Sequence, residues 1–292
     1  MLMATQSKTQ LLTNIHALLK KRYKPRSDPN SARLSVLKAV VYGICHEDTT
    51  REQANQALSR FEDEFFDWNE LRVSSVDEIQ ETLAGIPAPE EKAKSIRRFL
   101  RQLFNRTYGF TLDALTKKPL KEALKVLQTY DAFASDYVTA TVIQQALGGH
   151  AIPIDKAAHR VLERVGISEA EISALRAILE RAVPKNRGAE FLDLIEDVAN
   201  DTCLETDPEC PRCELRKVCT FALTHKQDPH ASGHAARAAS AKVAKEAAPA
   251  KASKAKPTSP IAPATAKKPS AAKAPKAAPP SKPPHDKHRG PK

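Results

Sequence analysis

Four of the chain's five cysteines are crowded into seventeen residues: Cys203, Cys210, Cys213 and Cys219, spaced C-x6-C-x2-C-x5-C. Thiolates that close in sequence can converge on one small inorganic centre. A [4Fe–4S] cluster takes four cysteines. Zinc is the alternative, because four thiolates also make its tetrahedral structural site. In a reducing compartment a tight cysteine group reads as metal binding rather than as disulfides. Cys45 stands apart in the apolar stretch AVVYGIC and reads as a small buried hydrophobe. Within the cysteine segment, Arg212, Arg216 and Lys217 are placed either to face a phosphate backbone or simply to be solvated.

The elements that must hold this segment read as helix after helix. SARLSVLKAVVYGICHE has apolar residues at helical spacing after a serine start, and REQANQALSRFEDEFF follows with Thr49 and Glu52 placed as a capping box. VDEIQETLAGI is capped by Ser74 or Ser75 and ended by Gly85 and Pro87, and EEKAKSIRRFLRQLFNRTYG is stopped at Gly109. LKEALKVLQTY, YVTATVIQQAL, DKAAHRVLERVG, SEAEISALRAILERA and AEFLDLIEDVANDTCLE complete the series. No alternating segment is long enough for a strand, so the class is all-α. Phe61, Phe65, Phe66 and Trp68 have the spacing of one helix face and read as core. Asp155 stands where it would cap the helix after it.

The net charge of +11 is unevenly placed. Residues 225–292 hold 15 Lys/Arg and 3 Asp/Glu, which is +12; the remaining 31 basic and 32 acidic residues leave residues 1–224 at −1. This Ala/Lys/Pro/Ser tail has no aromatic residue and twelve of the chain's 21 prolines. It cannot bury enough apolar area to fold and reads as disordered. Its charge suits weak, salt-sensitive, sequence-independent binding to DNA, or else solubility alone. No apolar run approaches the roughly 18–20 residues that span a bilayer, and the N-terminus lacks the pattern of a signal peptide. A cytosolic protein is the expectation.

The cysteine spacing, GGHAIPIDKAAHRVLERVG, EKAKSIRRFLRQL and YGFTLDALTKKPLKEALKVL, taken in order, resemble the endonuclease III branch of the helix–hairpin–helix DNA glycosylases. The resemblance covers about residues 5–222. It implies a helical barrel over 33–149 and a cluster domain made of 1–32 with 150–224, followed by the tail at 225–292. It implies a [4Fe–4S] cluster on the four cysteines, double-stranded DNA as partner, a monomer, and a cytoplasmic, nucleoid-associated bacterial protein.

The resemblance places the catalytic carboxylate on Asp155, where it would stabilise a sugar cation or activate a water. The family's Leu-Pro-Gly-Val-Gly hairpin is replaced by LQTYDAFASDYVTATV, which has no glycine. Tyr137 falls at the position of the family's Schiff-base lysine, so strand nicking through an amine adduct is not expected. Ser135 remains as a candidate cap and phosphate contact at the hairpin. The family's glutamine, from a Ser-x-Gln-x-Thr-Asp pattern, is replaced by Cys45 or His46 within Gly43–Asp48. His46, His159 and His150 are further polar candidates near a base pocket. The resulting expectation is a monofunctional glycosylase of base excision repair. The alternatives are a non-catalytic iron–sulfur DNA-binding protein and an adaptor that recognises a protein partner.

Overall fold

The computed structural model describes residues 7–26 and 32–225, and the basic tail read as disordered lies outside the described residues. The described part is all-α. It runs α1 (Lys8–Leu19), α2 (Val36–His46), α3 (Arg51–Glu64), α4 (Trp68–Val73), α5 (Val76–Thr82) and α6 (Pro89–Thr107). It continues through α7 (Leu120–Leu127), α8 (Asp136–Gln145), α9 (Lys156–Val165), α10 (Ile172–Ala182), α11 (Gly188–Asp201) and α12 (Thr220–Thr224), with short 3-10 turns between. No helix among the described residues is long and apolar enough to cross a membrane.

Buried apolar side chains fall into two clusters. The first runs from Val36 to Ala146 and is centred on α2, whose Val36, Leu37 and residues 39–45 are all buried. A helix apolar on every face belongs inside a bundle, and α3, α6 and α8 pack around this one. At Gly43 a side chain would meet the Thr141 Cβ and the Val138 Cα at 3.4 Å, so the missing Cβ lets α8 approach α2 closely. The second cluster joins Leu12, Ile15 and Leu19 of α1 to α9–α11 and the cysteine segment, from Ile152 to Cys219. The chain passes between the clusters through the buried residues Ala151–Ile154.

Local capping explains most helix starts, with some departures from the sequence reading. Ser35, inside the expected first helix, caps α2 by accepting the Lys38 N–H. In α3 the capping box is Thr50 with Gln53, not Thr49 with Glu52. Thr49 is buried, and its hydroxyl donates to the Glu47 carbonyl, so its neighbour takes the cap. Tyr108 rather than Gly109 ends α6, in left-handed backbone at φ 53°. Phe61 is core and Phe65 and Trp68 pack against it, but Phe66 is 95% exposed. The helix ends at Glu64, so helical spacing no longer applies to Phe66.

Candidate functional site

A pocket forms where α2, α8, α9 and α11 meet. Its lining includes His46, Arg51, Tyr137, Thr141, Asp155 and Glu196. Asp155 precedes α9 in extended backbone, and one carboxylate oxygen accepts the Ala158 N–H at 2.7 Å. Burial raises its pKa above 3.8; the Ala158 hydrogen bond opposes this, and the Asp48 charge adds to it. Asp48 ties the adjoining loop to the start of α9. Its two oxygens accept from the Lys156 backbone N–H at 3.1 Å and the Lys156 Nζ at 2.5 Å. It does so from left-handed backbone, φ 57°, a conformation that aspartate tolerates better than most residues.

Tyr137 is the second residue of α8, 6% exposed, with its hydroxyl 2.8 Å from His46 Nδ1. Burial, and then the charge of Asp155, push the phenol pKa well above 10, so the phenol stays protonated. His46 ends α2 and packs against the Tyr42 and Tyr137 rings, with centroids at 5.0 and 5.9 Å. Burial, followed by the cations Arg51, Lys92 and Arg26, lowers its pKa to about 3, so the imidazole is neutral. Glu196 Oε2 stands 3.9 Å from His46 Nε2. With a neutral ring this is a charge facing a dipole, not an ion pair. The Glu196 carboxylate is anchored by the Arg51 N–H at 2.8 Å and by Arg26 at 3.4 Å.

Other groups close the pocket and brace it. Lys92 donates to the carbonyls of Cys45 at 2.8 Å and Glu47 at 2.5 Å, and to the Thr49 hydroxyl at 3.1 Å. It thus satisfies carbonyls left over at the C-terminus of α2, where a cation also meets the helix dipole favourably. Gln144 donates to the Ala151 carbonyl at 2.9 Å. The Thr141 hydroxyl is buried against the pocket without a hydrogen-bond partner.

The hairpin region is a 3-10 turn, Asp131–Ala134, with Ala132 and Phe133 buried. Ser135 caps α8 by accepting the Val138 N–H at 3.2 Å, and its hydroxyl donates to Glu47 Oε1 at 3.0 Å. Its hydrogen-bonding groups are therefore used internally. Asp136, next to it, is exposed and pairs with Arg176 at 3.6 Å.

Cys203, Cys210, Cys213 and Cys219 line one small cavity, and none is in a disulfide. Among the described residues no group of three or more His, Cys, Asp or Glu is arranged to hold a metal ion. What the four thiols share is a space between them, with a donor set of the soft kind that iron–sulfur clusters take. Arg160 and Arg164 of α9 hold the rim: Arg160 donates to the Cys203 carbonyl at 3.0 Å, and Arg164 to the Cys203 sulfur at 3.4 Å and the Leu204 carbonyl at 2.5 Å. The Cys219 thiol donates to the Arg164 carbonyl at 3.1 Å. Arg212 pairs with Glu209 and lies 3.9 Å from Asp201, Arg216 donates to the Pro211 carbonyl at 2.9 Å, and Lys217 is exposed.

Of the remaining sequence candidates, His46 lines the pocket and Cys45 is fully buried behind it. His150 contacts the Glu180 carbonyl at 2.9 Å and is not part of the pocket lining; His159 lies partly exposed, 3.9 Å from Glu163. Arg51, Thr141 and Glu196 had no sequence signal, and Lys92 and Arg164 lie in segments that carry the resemblance without being singled out there. Each is one polar residue on a helix whose other end or face carries the recognisable pattern.

No protein-family sequence model matches the chain, and no curated protein matches it in sequence. Solved structures do match in fold. An endonuclease III trapped as a covalent intermediate with DNA is 15% identical, covering 76% of this chain and 100% of its own, with a TM-score of 0.59. A thermostable thymine-DNA glycosylase is 17% identical over 73% of this chain and 95% of its own, TM-score 0.51. The 3-methyladenine DNA glycosylase of H. pylori, bound to 1,N6-ethenoadenine, is 14% identical over 68% of this chain and 98% of its own, TM-score 0.51. The chain thus has the helix–hairpin–helix glycosylase fold.

Proposed function

We propose that this protein is a DNA N-glycosylase of base excision repair that hydrolyses the bond between a damaged or mismatched base and its sugar. The observation that carries this reading is the pocket, on a glycosylase fold, in which the Asp155 carboxylate lies close enough to Tyr137 to raise its pKa. The two apolar clusters serve as the two domains, and double-stranded DNA lies across the groove between them, bound by a monomer. A nucleotide rotated out of the stack, at a cost of about a few kcal/mol, would enter the pocket. As the glycosidic bond breaks, positive charge builds on the sugar. Asp155, ionised, stabilises that charge and takes a proton from the attacking water. Its raised pKa makes it a stronger base than an exposed aspartate.

Tyr137 has no amine and forms no Schiff base, so the reaction ends at an abasic site. The four cysteines would hold a [4Fe–4S] cluster, supported by their shared cavity; zinc is the alternative. A cluster held there would fix the loop that carries Arg212, Arg216 and Lys217, all three exposed.

The test is base release from duplexes carrying uracil, a G·T mismatch, an oxidised pyrimidine, an alkylated purine or adenine opposite 8-oxoguanine. Wild type should release one of these bases and Asp155→Asn should not. Borohydride should trap no covalent adduct with abasic DNA. A second reading, a non-catalytic DNA-binding protein, is favoured by the hairpin, where Ser135 is turned inward and Asp136 is exposed beside it. Binding without base release, unchanged in Asp155→Asn, would select that reading.

A further inference from the structure

The phenol of Tyr137 and the imidazole of His46 share a single contact of 2.8 Å, and only one hydrogen fits between them. Which ring supplies it decides what the pocket receives. A neutral imidazole carries one N–H. Glu196, fixed by the Arg51 N–H and by Arg26, places negative charge 3.9 Å from Nε2 and so favours the proton there. Nδ1 is then a lone pair, and the hydrogen in the contact belongs to the phenol. The other groups around His46 do not change this. Tyr42 of α2 presents its ring, and Arg51, Lys92 and Arg26 are cations that oppose a second proton on the imidazole.

Resting on the glycosylase reading, we propose that His46 is a positioning residue: it draws the Tyr137 hydroxyl hydrogen to itself, so that the phenol oxygen and the Asp155 carboxylate together accept the two hydrogens of the attacking water. Both side chains line the same pocket, and a water that reaches both can give one hydrogen to each. Its lone pairs are then free to face the sugar. The water oxygen bonds to the anomeric carbon, and the carbon–nitrogen bond breaks with its electron pair leaving on the base. One water proton passes to Asp155, and from there to solvent or to the departing base. Nothing is oxidised or reduced. With the opposite tautomer, Nδ1–H would donate to the phenol, and the phenol hydrogen rather than an oxygen lone pair would face the water.

Nitrogen NMR of the full-length protein reads the tautomer directly, with His46 assigned by its loss in His46→Asn. The expected spectrum at neutral pH has Nε2 protonated and Nδ1 as an acceptor. An Nδ1–H ring or an imidazolium overturns the proposal. Kinetics give the second test, using whichever panel duplex wild type processes and, for affinity, a duplex with a tetrahydrofuran abasic mimic. His46→Phe keeps the aromatic packing but cannot accept the hydrogen. Single-turnover base release should fall about tenfold, the worth of one such hydrogen bond. Affinity for the abasic mimic should stay within about twofold. His46→Asn, whose amide oxygen can stand in for Nδ1, should recover most of the rate, with folding of both variants checked by circular dichroism. Equal rates for His46→Phe and wild type overturn the proposal while leaving the glycosylase reading intact. No base release by wild type from any duplex removes both.

Discussion

The cysteine loop takes all four sulfurs from residues 203–219, whereas the pocket takes its polar groups from α2, α3, α8, α9 and α11. A site of the first kind is set by spacing along the chain and depends on every ligand. A site of the second kind is set by packing between helices, and its parts are bound by contacts such as Asp48 with Lys156 and Arg51 with Asp193. The two should therefore fail in different ways, and the following experiments separate them.

The largest effect falls on the local site. With the proposed cluster on the four cysteines, Cys210→Ser should lose iron and visible absorbance. It should also lower Tm by about 5 °C or more, at roughly 2–4 °C for each kcal/mol in a domain this size. Iron assay and melting curves check both. Asp155→Asn should do the reverse. Base release should fall about 10²- to 10⁴-fold, the usual worth of a positioned acid–base group. Iron content should not change, and stability should move by less than about 0.5 kcal/mol because asparagine caps a helix as well as aspartate. If Asp155→Asn lost its iron, the separation between the two sites would be broken.

A packing change sharpens the contrast. Gly43→Val places methyl groups into the 3.4 Å contact between α2 and α8 and should cost about 1–3 kcal/mol in urea unfolding, with iron retained. The pH dependence is subtler. In the proposed mechanism Asp155 acts as the ionised carboxylate, and burial raises its folded pKa above 3.8. Base release should therefore fall as pH drops through a midpoint above that value, which a rate profile measures. The smallest effect is expected from removing residues 225–292. Affinity for DNA at low salt should fall, and the slope of log affinity against log salt should flatten, because the +12 charge goes with the tail.

The sequence made the local features legible. The cysteine spacing, the cap at Asp155 and the run of amphipathic helices depend only on neighbours in the chain. The pocket depended on which polar residues the bundle turns inward. Nothing near Glu196 or Arg51 distinguishes them from other charges on α11 and α3, and only the meeting of the two helices places both beside His46. Ser135 had the right chemistry for a phosphate contact, but Glu47, far away in sequence, takes its hydroxyl. The end of the third helix misled for a simpler reason: helical spacing says which face Phe66 would share only while the helix lasts.

Helix α9 has ten residues, about 15 Å of rod at 1.5 Å per residue. Asp155 sits at one end, and Arg164, gripping the first cysteine, near the other. A rod pinned at both ends cannot tilt at one without disturbing its grip at the other. Slack in the sulfur loop would thus reach the carboxylate as a misalignment.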